Sequence, residues 1–204
     1  MNLESLGRKH ARLVTDAVVR RPSLWRLFRP LMRRQFDGLA PSWDGSRSPD
    51  YLAPYRAALD GLPVSPRRAL DLGTGTGLGA RAIATRFPDA DVLGVDLSAA
   101  MVDEARKLGG SPRYETADGS HLTYADGAFD LVALCNMIPF FDELARVVAP
   151  GGHVLVAFSS GSATPIYVPA ERLRDELGAR GFMDFADFSA GRGTALLARK
   201  GDRT

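Results

Sequence analysis

The chain has 204 residues, 45% of them hydrophobic and 25% charged, with a formal net charge of +2. That suffices for one domain with a full core, and no run of eighteen apolar residues is present to span a bilayer. One cysteine, Cys135, excludes an internal disulfide, the three histidines are scattered with no CxxC zinc pattern, and no secretory leader opens the chain, so a reducing, cytoplasmic setting without a metal is expected.

Charge is uneven along the chain. Residues 1–35 hold nine Arg or Lys against two acids, a net of +7, and the remainder carries −5. Within Pro22–Phe36, Leu24, Trp25, Phe28, Leu31, Met32 and Phe36 recur at helical spacing, with Arg26, Arg29, Arg33 and Arg34 between them. The expected role of that apolar stripe is to pack on the domain or cap the site. A basic amphipathic helix also suits an anionic membrane or RNA phosphates, and both stay open as alternatives. Pro30 is expected to kink the helix. Gly38–Pro49, with its Pro, Ser, Gly and Asp, reads as a linker. The expected organisation is therefore a basic helical segment or lid over 1–48 and a cofactor-binding domain over 49–204.

From residue 68 onward strands and helices alternate. Strands are expected near 68–72, 91–95, 113–116, 129–135, 152–158, 182–188 and 193–199, and helices near 77–87, 98–107, 140–149 and 169–180. The last two strands, split by Ala190-Gly191-Arg192-Gly193, read as a hairpin. Ser159–Thr164 reads as a mobile loop. In such a fold ligands bind beyond the carboxyl ends of the strands, and Asp71, Asp96, Asp118 and Asn136 all fall at such ends.

The most informative stretch is Ala69-Leu70-Asp71-Leu72-Gly73-Thr74-Gly75-Thr76-Gly77, a buried strand running into alternate glycines before a helix. Glycines let the backbone turn tightly and let a ligand lie against the main chain. A dinucleotide pattern can be drawn through Gly75, Gly77 and Ala80, displaced two residues past the first glycine. The better fit is D-x-G-x-G-x-G with Asp71 at the strand's end. A pyrophosphate gains nothing from that carboxylate, whereas a cationic ligand can use it.

This segment resembles the first motif of class I S-adenosylmethionine-dependent methyltransferases. Further along, Asp96-Leu97-Ser98-Ala99-Ala100-Met101 with Ala105-Arg106 resembles that family's second-strand pattern, Ala117-Asp118-Gly119 its acidic loop, Phe129-Asp130-Leu131-Val132 its fourth strand, and Arg146-Val147-Val148-Ala149-Pro150-Gly151-Gly152 the turn into its fifth. The resemblance covers residues 69–158. It implies a doubly wound α/β fold, a seven-stranded, mostly parallel Rossmann-like sheet with an antiparallel final strand and N-terminal helices. It also implies S-adenosylmethionine as cofactor. Asp71, Gly73, Thr74, Gly75 and Gly77 would hold the methionine end, Asp96 the ribose, Leu97 the adenine face, and Asp118 with Gly119 the adenine edge. Asp96 with Ser98 also reads as a plain helix start, and Asp118-Gly119 as a plain turn.

The acceptor side is less defined. Phe36-Asp37-Gly38-Leu39-Ala40-Pro41-Ser42-Trp43-Asp44 loosely resembles a segment of the branch containing ubiquinone and menaquinone biosynthesis methyltransferases, and Trp43, Tyr51 and Tyr55 would supply an aromatic lid. Asn136 ends the fourth strand and would line the site near the methyl, while Pro139 reads as the first residue of the next helix. No general base stands out; His121, Tyr124 and Asp142 are the titratable residues nearest the expected mouth. The expected function is methyl transfer to a small, partly apolar molecule. A methyltransferase acting on RNA or at a membrane, and a non-catalytic cofactor-binding partner, are the alternatives; the sequence leaves oligomeric state open.

Overall fold

The computed structural model describes residues 3–202. Seven strands form one sheet: β1 (Arg68–Leu72), β2 (Asp91–Asp96), β3 (Arg113–Thr116), β4 (Phe129–Cys135), β5 (Val148–Phe158), β6 (Phe182–Ala190) and β7 (Gly193–Lys200). Their order is β3-β2-β1-β4-β5-β7-β6, with β7 antiparallel to both neighbours and every other pairing parallel. This is the doubly wound, mostly parallel sheet expected from the alternation of elements.

Both faces of the central strands are buried, and strand parity sorts side chains between two cores. Leu70, Leu72, Val132, Leu134, Val154 and Val156 face one core with α1 (Leu3–Arg20), α2 (Trp25–Leu39), α6 (Phe141–Val147) and α7 (Ala170–Gly178). Ala69, Leu131, Ala133, Leu155 and Ala157 face the other, under α3 (Ala53–Asp60), α4 (Leu78–Arg86) and α5 (Ala99–Leu108). Period-two alternation inside apolar runs is the signature of strands covered on both sides.

Several boundaries differ from expectation. The helix expected over 140–149 stops at Val147, because Val148 is already extended and pairs with Phe129 ahead of an irregularity in the ladder. Pro139 lies two residues before α6 rather than opening it. α2 continues through Pro30, and the break with α1 comes instead at Arg21–Leu24, where Pro22 opens a single 3-10 turn. α1 falls within the helical segment expected over 1–48, without bounds of its own there, and α3 was not anticipated. Among the described residues no helix is long and apolar enough to cross a membrane.

The N-terminal helices are built into the core. Val14, Val18, Val19 and Trp25 are buried beside Leu70, Val132 and Leu134. Gly38–Pro49 is not a free tether either: Ala40 is buried, and two further 3-10 turns carry residues 40–46 across the sheet's carboxyl edge.

Candidate functional site

Register brings the carboxyl ends of four strands level. Leu72 lies between Val95 and Leu134, and Asp96 lies beside Thr116. The residues that follow are therefore neighbours: the glycine loop after β1, Asp96 and Leu97 after β2, Ala117–Gly119 after β3, and Asn136 after β4. The chain runs outward in opposite directions from β1 and β4, the switch point where such sheets hold ligands.

Gly73, Gly75 and Gly77 all take positive φ, at 72°, 55° and 86°, a conformation costly for any residue with a Cβ. Four of the loop's five amides are used within the protein. Gly73 and Thr74 donate to the Val95 carbonyl, Gly77 to the Thr74 carbonyl, and Gly75 to Asp96 Oδ2 at 2.8 Å. Pleat parity turns Asp71 towards α3 and α4. There its carboxylate accepts from the Tyr55 hydroxyl at 2.8 Å, the Thr74 hydroxyl at 2.6 Å and the Ala80 amide. It also presses on α4: a Cβ on Gly79 would lie 2.6 Å from Asp71 Oδ1. The N-terminus of α4, where a dinucleotide fold receives its pyrophosphate, thus already has an anion of its own. Asp71 and Thr74 organise the loop from beneath and do not face the mouth.

Burial pushes the Asp71 carboxyl up to about 6, against the bonds from Thr74, Tyr55 and the Ala80 amide. Burial also raises Asp96, whose Oδ1 accepts from the Ser98 amide at 2.9 Å while Oδ2 holds Gly75. Ser98 is the N-cap of α5, so Asp96 supports the helix start and the glycine loop together. At Asp118 burial is outweighed by the Ser120 amide, Arg29, the Ser120 hydroxyl and Trp25, which hold its carboxyl below the ordinary value. Leu97 packs on the core cluster that contains Trp25. Gly119 is buried, and a Cβ there would meet Met137 Cε at 2.6 Å; one on Gly73 would meet Met137 Sδ at the same distance. Met137 therefore spans the gap between the two glycine sites. Asn136 sits at φ 53°, tolerable for Asn, and its amide group clamps Ser159, donating to Oγ at 2.8 Å and accepting from the backbone amide at 2.9 Å.

The segment from Trp25 to Tyr51 straps this row. The Trp25 indole and Arg29 donate to Asp118, each at 2.9 Å. The Ser98 hydroxyl donates to Asp37 at 2.6 Å, and the Thr76 hydroxyl to Asp44. Trp43 lies on the glycine loop, its Nε1 3.3 Å from where a Gly75 Cβ would stand, with Arg47 stacked 3.7 Å over its ring. Tyr51 reaches Cys135 and Asn136, and burial raises its hydroxyl while pushing the Cys135 thiol up to about 12. Beside Asp118 a cavity of about 320 Å³ remains, lined by Trp25, Arg29, Ser120 and Phe140 among others.

Residues 70–156 match a family model described as a methyltransferase domain. A malonyl-[acyl-carrier protein] O-methyltransferase of Legionella pneumophila is 40% identical over 104 residues, which cover 46% of this chain and 37% of that protein. A demethylmenaquinone methyltransferase of Deinococcus radiodurans is 37% identical over 111 residues, covering 49% and 46%. The chain thus spans less than half the length of either relative. Among solved structures, a chain from the complex between the Haloferax volcanii Trm112 methyltransferase activator and a methyltransferase superposes with a TM-score of 0.69 at 18% identity, covering 81% of this chain and 97% of that one. That likeness establishes the Rossmann-like fold. The strap over 25–51 lies outside the span matched to the methyltransferase domain.

Of the three aromatics expected in a lid, Trp43 and Tyr51 lie at the carboxyl ends of the sheet's strands. Tyr55 instead is fully buried beneath them on Asp71. The expected mouth residues do not converge: His121 is exposed, the Tyr124 hydroxyl donates to Glu115 at 3.0 Å, and Asp142 accepts from Arg180 at 2.6 Å. The contacts of Asp37, Asp44 and Met137 were not foreseen. Both acids belong to the Phe36–Asp44 segment, which was the only signal in the sequence that could have pointed to them.

Proposed function

We propose that this chain transfers the methyl group of S-adenosylmethionine to a small, partly apolar acceptor by in-line displacement, in a cytoplasmic setting. The observation that carries the cofactor is the set of acids at the strand ends. Asp71 occupies the α4 N-terminus, the amides of Gly73, Thr74, Gly75 and Gly77 are spent internally, and Asp96 and Asp118 stand at the next two strands. That arrangement repels a pyrophosphate and suits a cationic ligand rich in hydroxyl and amino donors. The relatives' names support the reaction class.

In this reading Asp96 accepts from the ribose hydroxyls, with Leu97 against the adenine and Asp118 and Gly119 at its edge. Gly73, Thr74, Gly75 and Gly77 keep the main chain open to the methionine end, and Asp71 holds their loop in shape. Asn136, fixed by Ser159, lines the acceptor side. When bound, S-adenosylmethionine supplies a methyl group already electrophilic on its sulfonium. The chain's own contribution is alignment and exclusion of water, worth roughly 7–11 kcal/mol in favourable cases. To admit the cofactor, Met137 must leave the space between Gly73 and Gly119, and Trp25 and Arg29 must release Asp118.

Calorimetric titration with S-adenosylhomocysteine, with NAD as control, tests this. Binding of the first alone is expected. Binding of NAD, or of neither, would overturn the cofactor assignment.

A further inference from the structure

Not all of the basic segment is absorbed by the domain. On α2, Trp25, Phe28, Met32 and Phe36 turn inward, whereas Leu27 and Leu31, one turn apart, are 66% and 59% exposed. Arg34 shares their face, and Arg26 flanks it. Arg20 and Arg21 precede the helix. These four arginines are exposed, and none is ion-paired with a carboxylate among the described residues; on α2 the pairs are made by Arg29 and Arg33.

We propose that the outer face of α2 is a docking surface for an anionic lipid bilayer. The inference goes beyond methyl transfer and does not depend on the cofactor assignment. The leucines are what select the occupant. RNA phosphates would satisfy the arginines and leave both leucines in water. A second copy of the chain would bring like charges together over the same face. An apolar protein groove would have no use for the arginines. A bilayer surface takes both: leucine side chains enter the headgroup–acyl boundary while guanidinium groups stay at the phosphate level on their apolar stems. Docking needs no unfolding, because the inward face of α2 stays on the core. The helix lies on the surface and does not span it, in keeping with its 15 residues.

The test is co-sedimentation of the full chain with vesicles of phosphatidylcholine alone and of phosphatidylcholine with one-third phosphatidylglycerol. Binding to the anionic vesicles alone is expected, and it should weaken as salt is raised. Leu27→Ser/Leu31→Ser should lower partitioning roughly tenfold or more, with thermal midpoint unchanged. Arg26→Gln/Arg34→Gln should lower it by about tenfold. No binding to anionic vesicles, or binding indifferent to the leucines, would overturn the proposal. So would preferential capture of single-stranded RNA by both wild type and the leucine variant, which points to phosphate alone. A concentration-dependent dimer abolished by the leucine variant would also overturn it, in favour of self-association.

Discussion

Asp71 is a carboxylate whose charge burial disfavours and three donors partly restore, leaving its pKa raised from 3.8 to about 6. A group that binds its proton more readily folded than unfolded stabilises the fold fully below its ordinary value. That contribution is lost as pH rises through the folded value. The wild type should therefore lose stability relative to Asp71→Asn between about pH 4 and pH 7, by on the order of 3 kcal/mol. Urea unfolding at each pH reads this, and a flat difference would contradict the buried site. Tyr55→Phe removes one of the donors that lower that pKa, so its cost, about 1.5–3 kcal/mol for a bond to a charged group, should be larger at pH 8 than at pH 5. At Asp96 the expectation concerns the ligand. Asp96→Ala should weaken S-adenosylhomocysteine binding by about 1.5–3 kcal/mol, and unchanged affinity by calorimetry would remove the ribose assignment.

The strap is an element with two sets of partners. In this arrangement Trp25, Arg29, Asp37 and Asp44 are hydrogen-bonded to Asp118, Ser98 and Thr76. A cofactor that needs Asp118 competes with the strap, and its apparent affinity is reduced by the fraction of molecules still closed. Arg29 is half exposed in its pair with Asp118, so screening by solvent keeps that contact weak. Arg29→Ala should accordingly tighten S-adenosylhomocysteine binding, by up to about fivefold. A loss of affinity would mean that Arg29 contacts the cofactor rather than competing with it.

At the scale of the whole molecule, the N-terminal helices share the core of the sheet. A chain beginning at residue 49 would expose the surface that Val14, Val18, Val19 and Trp25 cover. At about 1.5–3 kcal/mol per buried apolar side chain, the loss is on the order of 6 kcal/mol or more, comparable to the whole stability of a typical domain. The truncated chain should show no cooperative thermal transition, whereas a sharp transition near that of the full chain would mark residues 1–48 as an accessory.

The strands, their order of appearance and the α/β class were legible in the sequence, because strands buried on both faces must be continuous apolar runs punctuated by turn residues. The placement of Asp96, Asp118 and Asn136 at strand ends followed from the same local signals. What covers those ends did not. The bonds from Ser98 to Asp37 and from Trp25 to Asp118 join residues 61 and 93 apart in sequence, and no periodicity or spacing marks such a pair. Asp71 shows the same division. Its position before the glycines was plain from the sequence, but the side of the sheet it faces was decided by pleat parity together with the arrival of Tyr55 from α3. Helical spacing marked α2 as amphipathic, yet only the tertiary structure decided that Leu31 would turn outward with Leu27, because one flat core face can bury only one stripe of a helix.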